Sequence, residues 1–417
     1  MMKRKGLKIA LASVAVLILL ISLSIVVYWG MTGVTSFEEG MQKLGALILP
    51  KENNVYRKSS YSVSDAKAVK KREKVVARVG DSELTNGLLQ IYYWMDIYEY
   101  LEDYSYYAVY YGLDYTQPLD EQTCQDTEGT WQHFFLEKAI LNWHNYQALM
   151  KVAETEGFQL DDDLQSELDG LKASLTDAVL ESDYPSIEAM LQADMGPGCT
   201  YEDYYQYINA YYRASAYLEQ RLDETQITDA MLHEYFDTHE EELAKEGISK
   251  DSGDVKDVRH ILIAVQGGTE DEDGVMVYSE EEWETCRDSA QAVLDEWLAG
   301  EATEESFADL AYIYSEDTGS DTNGGLYENL DADSGFVQEF VDWYMDEDRQ
   351  YGDYGLIRTE YGYHVMYFVD SEAQWLRNCH QGVLSDLAAQ WMKEAREQYP
   401  MEDMKYKKIA LGVVELG

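Results

Sequence analysis

The chain has 417 residues, enough for two or three domains, and it is strongly acidic. It contains 32 Lys and Arg against 80 Asp and Glu, a net charge of −48. Such a surface repels phosphates and anionic lipid headgroups, which argues against a DNA- or RNA-binding function. Two interpretations remain: a solvated acidic surface without a specific partner, and a weak attraction for cationic polypeptides or cations.

The N-terminal segment has the pattern of a membrane anchor. An apolar run from Ile9 to Trp29 follows the basic residues Lys3, Arg4, Lys5 and Lys8. About twenty helical residues span the ~30 Å hydrocarbon core, and the basic end is expected to stay in the cytoplasm. Residues 1–30 are therefore predicted to form a cytoplasmic basic tip and one transmembrane helix, which places the rest of the chain outside the membrane. A cleaved signal peptide is the alternative.

Residues 31–74 are polar and rich in basic side chains, which is typical of a linker or stalk. A short helix is expected near Ala66–Lys74. The segment from Lys74 to Asp81 then predicts a strand and a turn, and a helix is expected to begin near Gly87.

Residues 75–247 are predicted to be a helical block behind that strand. Cap residues and apolar side chains at helical spacing predict five further helices: Trp131–Glu156, Asp162–Leu180, Ser186–Met195, Tyr201–Asp223 and Asp229–Glu246. Tyrosine is dense in this block, notably between Tyr92 and Tyr111 and between Tyr201 and Tyr217. Two interpretations are open: the rings fill helix interfaces, or they form a client-binding surface, because tyrosine offers large amphipathic contact area.

Residues 248–257 have the composition of a linker, and the order β-α-α-β-α-β is predicted for residues 258–370. Ser279 and Glu282 form a capping-box pattern at the start of the first helix. The predicted elements and turn are Val258–Val265, the helix from Ser279 to Ala299, Glu304–Ile313, the turn Asn323–Gly325, the helix near Gly335–Met345, and Tyr363–Asp370.

The C-terminal residues 371–417 predict a helix over Glu372–Gln398 and a terminal strand over Lys407–Glu415. A single strand needs a partner, and Lys74–Val79 is the other predicted strand outside the central region. Pairing them unites both chain ends in one domain with residues 258–370 inserted. The predicted fold class is therefore α+β.

The central region carries four recognisable segments: Val258-Arg259-His260, Tyr314-Ser315-Glu316-Asp317, Asn323-Gly324-Gly325-Leu326 and Tyr361-Gly362-Tyr363-His364. Their order resembles the parvulin family of peptidyl-prolyl isomerases. The layout of helical ends around this module is similar to extracytoplasmic foldases of the PrsA/SurA type. The resemblance implies an isomerase and foldase for unfolded or translocated polypeptides, without a cofactor, and a possible homodimer through the helical domain.

The resemblance also implies the site. Rotation about an Xaa-Pro amide faces a barrier of about 18–20 kcal/mol, and lowering it requires an apolar proline pocket above a polar network, with no covalent step. His260, Asp317, Thr359 and His364 match the family's catalytic network, and Leu326, Phe336 and Phe340 match its proline pocket. The four-residue spacing of the two phenylalanines places them on one helix face.

Several positions depart from the family pattern. Tyr327 stands where the family usually has glycine, residues 328–335 are acidic, and Met345–Gly355 differs from the usual turn. The site region lacks a cluster of Arg or Lys, which disfavours a phospho-Ser/Thr-Pro substrate. These departures support the alternative of a holdase chaperone whose parvulin module is inactive. An anchored structural or adhesion protein is a third interpretation.

The remaining motifs predict no metal or cofactor site. Thr269–Glu280 has acidic residues at some EF-hand offsets, but its first position is Thr and a strand precedes it. Outside the membrane, the cysteines allow three disulfide pairings, and buried free thiols are the alternative: Cys124, Cys199, Cys286 and Cys379.

Overall fold

The computed structural model describes residues 60–414, apart from residues 111, 115, 125–128, 271–275 and 403. The predicted anchor and most of the predicted linker lie outside the described residues. Within the described ranges, no helix has both the length and the apolar character needed to cross a membrane. The chain divides into two compact units. The helical unit combines Met1–Met231 with Gln381–Gly417, and the sheet unit is Leu232–His380.

The helical unit is built mainly of long helices. Its helices are α1 (Asp65–Lys71), α2 (Asn86–Tyr110), α3 (Trp131–Glu156), α4 (Asp162–Leu180), α5 (Ile187–Met195) and α6 (Tyr201–Asp223). Its short strands in the same stretch are β1 (Val75–Val79), β2 (Ser82–Thr85), β3 (Thr123–Cys124) and β4 (Gly129–Thr130). The helix α7 (Asp229–Lys245) begins in this unit and continues into the sheet unit.

Side-chain caps explain why the helix starts were predictable. The hydroxyl of Thr130 accepts from the His133 amide, and a carboxylate oxygen of Asp161 accepts from the Leu164 amide. At α6, Thr200 forms a full capping box. Each cap satisfies a backbone amide that has no partner within the helix.

Most described tyrosines of the helical unit belong to its core. Eight are buried: Tyr61, Tyr92, Tyr93, Tyr100, Tyr204, Tyr211, Tyr212 and Tyr217. Edge-to-face contacts such as Tyr92 with Tyr207, whose ring centroids are 4.7 Å apart, join α2 to α6. These observations favour the interpretation that the rings fill helix interfaces.

The C-terminal end differs from the predicted strand over Lys407–Glu415. The partner of β1 is β11 (Met401–Glu402), and Tyr406–Lys408 is a 3₁₀ turn. Leu411 pairs with Ser62 in an isolated parallel bridge, and side chains of α2 satisfy the amides on either side of it. Asn86 Oδ1 accepts from the Ala410 amide at 3.0 Å, and Gln90 Oε1 accepts from the Gly412 amide at 2.7 Å. Segments from before and after the sheet unit therefore belong to this one unit and pair through β1 and β11.

After α7, the elements of the sheet unit are β5 (Asp254–Ala264), β6 (Thr269–Glu270), β7 (Met276–Val277), α8 (Glu280–Ala299), α9 (Glu304–Tyr314), β8 (Leu326–Leu330), α10 (Gln338–Tyr344), β9 (Tyr354–Arg358), β10 (Gly362–Ala373) and α11 (Gln374–Gln398). Four of these strands form an antiparallel sheet in the order β8-β5-β10-β9. The last helix continues into the helical unit.

Two layers cover the sheet. The face that carries Ile261, Val365 and Tyr367 packs against α8 and α9. The opposite face carries Val258, Met366 and Phe368 and packs against α10. Alternation of side chains along β5 and β10 produces this division, and the α10 face receives both histidines singled out in the sequence.

Two boundaries differ from the predicted ones. The residues predicted as linker, 248–257, include the first four residues of β5. The helical block was expected to reach residue 247, whereas the sheet unit begins at Leu232 within α7. The predicted order also lacks β9, which pairs with β10 at the sheet edge.

Candidate functional site

Two histidines lie side by side on the α10 face of the sheet. His260 pairs with Met366, and His364 pairs with Leu262, so the histidines are diagonal neighbours on adjacent strands. Their rings stack with centroids 5.2 Å apart, and their Nδ1 atoms are 3.0 Å apart. Both side chains are buried.

Asp317 lies three residues after α9 and accepts three hydrogen bonds at one carboxylate oxygen. Its Oδ2 atom is 2.9 Å from His260 Nε2, and it accepts from the hydroxyls of Ser320 at 2.6 Å and Tyr327 at 3.0 Å. The hydrogen bond with His260 is the main cause that holds the pKa of Asp317 well below its usual range, with partial burial opposing it. Asp317 is therefore a carboxylate at neutral pH.

Thr359 completes the network at its other end. Its Oγ1 atom lies 2.8 Å from His364 Nε2. Burial, assisted by the neighbouring His260, lowers the pKa of His364 to about 3, so this imidazole is neutral at physiological pH.

A single proton arrangement satisfies these contacts when both imidazoles are neutral. The Asp317 carboxylate has no proton to give, so His260 donates from Nε2 and its Nδ1 accepts from His364 Nδ1. His364 Nε2 then accepts from the hydroxyl of Thr359. Hydrogen bonds thus run in one direction, from Thr359 to Asp317, and fix both tautomers.

Aromatic rings form a wall beside this network. Phe336 and Phe340 stack with centroids 4.9 Å apart, and Tyr327 meets Phe336 edge-on at 4.8 Å. Phe340 contacts His260 at 5.1 Å. Phe340 is fully buried, while Phe336 and Tyr327 are partly exposed. An apolar surface open to solvent therefore lies next to a buried polar chain.

Leu326, predicted to line the pocket, lies on the other face of the sheet. It pairs with Arg259, whose side chain points to Glu304 at the start of α9. Tyr327 pairs with Val258 and so shares the face of His260. Because strand side chains alternate, only one of the two neighbours can face the site, and it is Tyr327.

The structure brings together six of the seven predicted site residues. It adds two that the sequence did not single out as site residues, Ser320 and Tyr327. Ser320 follows Asp317 by three residues, the spacing of a side-chain turn, which is a weak signal among many such spacings. Tyr327 was noted only as a departure from the family pattern.

Cys199, Cys286 and Cys379 are buried free thiols, and Cys124 is buried as well. Among the described residues, no group of three or more His, Cys, Asp or Glu side chains is arranged to hold a metal ion. The acidic residues 271–273, within the segment Thr269–Glu280 that was considered and set aside as a calcium loop, lie outside the described residues.

Comparison with known proteins gives one family and several solved structures. Residues 242–372 match the PPIC-type PPIASE domain. No curated protein sequence matches the chain. Structures with similarity include PrsA from Bacillus subtilis, at 18% identity over 67% of this chain and 90% of that one, with a TM-score of 0.32.

Two further structures have comparable values. Foldase protein PrsA from Streptococcus pneumoniae is 17% identical over 65% of this chain and 88% of that one, with a TM-score of 0.22. A SurA-like chaperone from Campylobacter jejuni is 18% identical over 78% and 94%, with a TM-score of 0.21. Such values do not establish a shared arrangement of the whole chain, so the assignment rests on the domain match and the site. Residues 242–372 are a parvulin-type peptidyl-prolyl isomerase domain.

Proposed function

We propose that the protein accelerates cis-trans exchange of Xaa-Pro bonds in unfolded polypeptides, as a foldase acting on translocated proteins outside the membrane. The observation that carries the proposal is the hydrogen-bonded chain from Thr359 to Asp317 beside the wall of Tyr327, Phe336 and Phe340. An apolar wall and a polar chain are the two parts that amide rotation requires.

The aromatic wall binds the proline ring. The partly exposed edges of Phe336 and Tyr327 offer it apolar contact, and packing there removes water from the amide. A planar amide is stabilised by conjugation and by hydrogen bonds from water, so a dry pocket favours the twisted amide relative to the planar one.

The network supplies fixed polar groups beneath the wall. Because the protons of His260 and His364 are already ordered by their partners, little reorganisation is needed as the amide twists. Asp317, held as a carboxylate, orients His260. The proposed roles are thus a catalytic network of His260, Asp317, Thr359 and His364, and a proline pocket that includes Phe336 and Phe340.

The test is cis-to-trans exchange of a short Xaa-Pro peptide, measured by NMR with the full-length chain. We expect the natural sequence to accelerate exchange. Asp317→Ala and His260→Ala should each lose at least tenfold in this acceleration, because each removes a member of the hydrogen-bonded network. Asp309→Ala, an exposed carboxylate on α9, is the matched control and is expected to retain activity. Full activity in both site variants would refute the proposed site.

The location outside the membrane is a second part of the proposal. It is supported by the apolar run from Ile9 to Trp29 behind a basic N-terminus. We expect the protein to resist alkaline extraction from membranes. We also expect protease added to protoplasts, whose cell membrane is intact, to digest the sheet unit. Protection of the sheet unit until the cells are lysed would contradict this orientation.

A further inference from the structure

Tyr327 contacts both parts of the site. Its hydroxyl donates to Asp317 Oδ2 at 3.0 Å. Its ring lies 4.8 Å from Phe336 and 5.5 Å from His260, measured between ring centroids. Among the described wall residues, it is the one that also donates a hydrogen bond to the polar network.

We propose that Tyr327 is a positioning residue for isomerisation: its hydroxyl holds the Asp317 carboxylate in the orientation that fixes His260, while its ring forms one wall of the proline pocket. This inference rests on the proposed function and assigns a role to a residue that the family pattern does not supply. Proline binding and the state of the network are thereby linked through one side chain.

The hydroxyl remains a donor throughout the physiological range. Partial burial and the neighbouring Asp317 carboxylate raise the pKa of Tyr327 to about 12. Asp317 Oδ2 has two further donors, His260 and Ser320. Removing the tyrosine hydroxyl therefore leaves the carboxylate in place but frees it to rotate and makes it easier to protonate.

Gly319 offers an independent way to disturb the same hydrogen bond. A Cβ atom at this position would overlap the Tyr327 hydroxyl, the far end of a side chain that can move. Gly319 does not have a positive φ angle, so its backbone tolerates alanine. Gly319→Ala thus displaces the hydroxyl from Asp317 without altering Tyr327 itself.

The experiment compares Tyr327→Phe, Gly319→Ala and the double variant in the NMR exchange assay with the full-length chain. We expect each single variant to lower kcat about three- to tenfold with KM within twofold, because the ring wall is retained and one hydrogen bond to a charged group is lost. The double variant is expected to match Tyr327→Phe alone, since phenylalanine has no hydroxyl to displace. Tyr312→Phe, an exposed tyrosine on α9, is the control and should behave as the natural sequence.

A second readout separates positioning from packing. The pKa of the Asp317 carboxyl group is measured from the NMR signal of its carboxyl carbon during acid titration. This pKa should be higher in Tyr327→Phe and in Gly319→Ala than in the natural sequence. Unchanged kcat, or an unchanged Asp317 titration in a folded Tyr327→Phe protein, would overturn the inference. An inactive natural sequence would instead refute the proposed isomerase function, and the titration would still report whether the hydroxyl holds the carboxylate.

Discussion

At the scale of single residues, Thr359 fixes the direction of the hydrogen-bonded chain. With both imidazoles neutral, its hydroxyl donates to His364 Nε2, 2.8 Å away, and both side chains are buried. Valine has nearly the same shape as threonine but no hydroxyl. Thr359→Val therefore leaves a buried imidazole nitrogen without its donor, or forces His364 into the other tautomer, in which two bare Nδ1 atoms would face each other.

We expect Thr359→Val to lose at least tenfold in exchange rate and about 1–3 kcal/mol of local stability, the cost of an unsatisfied buried polar group. Amide hydrogen exchange along β10 measures the second quantity. Thr318→Val, at an exposed position beside the site, is the matched control and should change either quantity little. An active Thr359→Val protein with unchanged protection of the β10 amides would show that the hydroxyl does not fix the direction of the hydrogen-bonded network.

The same scale shows what the sequence could and could not predict of the site. His260 and His364 were predictable because each stands near the start of an apolar strand in a recognisable order of segments. The choice between Leu326 and Tyr327 depended on the register of a five-residue strand, and a shift of one residue reverses which side chain faces the site. The family pattern selects leucine, whereas the pairing with β5 selects tyrosine.

At the scale of elements, helices were predicted more accurately than strands. The predicted bounds of α3, α4 and α6 equal the observed ones, because side-chain caps mark their starts and apolar periodicity follows their length. The strands β8 and β9 have five residues each and take their place from neighbouring strands. The terminal strand is reduced to one bridge between Leu411 and Ser62, because Asn86 and Gln90, distant in sequence, satisfy the amides of Ala410 and Gly412.

One buried carboxyl in the helical unit has a testable consequence for stability. Asp96 of α2 is buried, and Asn142 of α3 donates to its Oδ1 atom at 2.8 Å. Burial is the main cause that raises the pKa of Asp96 to about 7, with Lys138 and Asn142 opposing and Glu99 assisting. The folded protein therefore holds a proton that the unfolded chain releases between about pH 4 and pH 7. Stability from this group is highest below about pH 4 and falls as the pH rises to 7.

Asp96→Asn keeps the hydrogen bond from Asn142 and removes the ionisation. We expect the variant to be more stable than the natural sequence at pH 8, by on the order of 1–4 kcal/mol, and nearly equal to it at pH 4. Hydrogen exchange of the α3 amides at both pH values is the measurement. Asp177→Asn, an exposed carboxyl on α4, should produce no such gain. Equal stability at pH 8 would mean that Asp96 does not bind its additional proton in the folded state.

At the scale of the whole molecule, the sequence predicted that the two chain ends share one unit and that a sheet-containing module lies between them, and the compact units have this connectivity. It did not predict the division within α7, because a continuous helix carries no linker composition at that point. The charge imbalance, in contrast, can be read from the sequence alone. The sheet unit, Leu232–His380, contains 8 Lys and Arg against 39 Asp and Glu, a net of −31.

That charge lies on the unit that holds the candidate site, so it bears on which polypeptides reach the site. Long-range attraction raises the encounter rate of cationic ligands, and salt screens it, with a Debye length of about 30 Å at 0.01 M and about 8 Å at 0.15 M. We expect an Xaa-Pro peptide flanked by lysines to have a kcat/KM about tenfold above that of a glutamate-flanked peptide at 0.01 M salt. The ratio should approach one at 1 M salt, while a serine-flanked peptide changes little.

NMR exchange rates for the three peptides at both salt concentrations test this expectation. Equal values for the lysine and glutamate peptides at low salt would mean that the acidic surface serves solubility and has no influence on client choice. A ratio that persists at 1 M salt would place the preference in short-range contacts at the pocket, where screening is weak. A ratio that falls with salt would assign client preference to the charge of the whole unit, leaving the pocket to recognise only the proline ring.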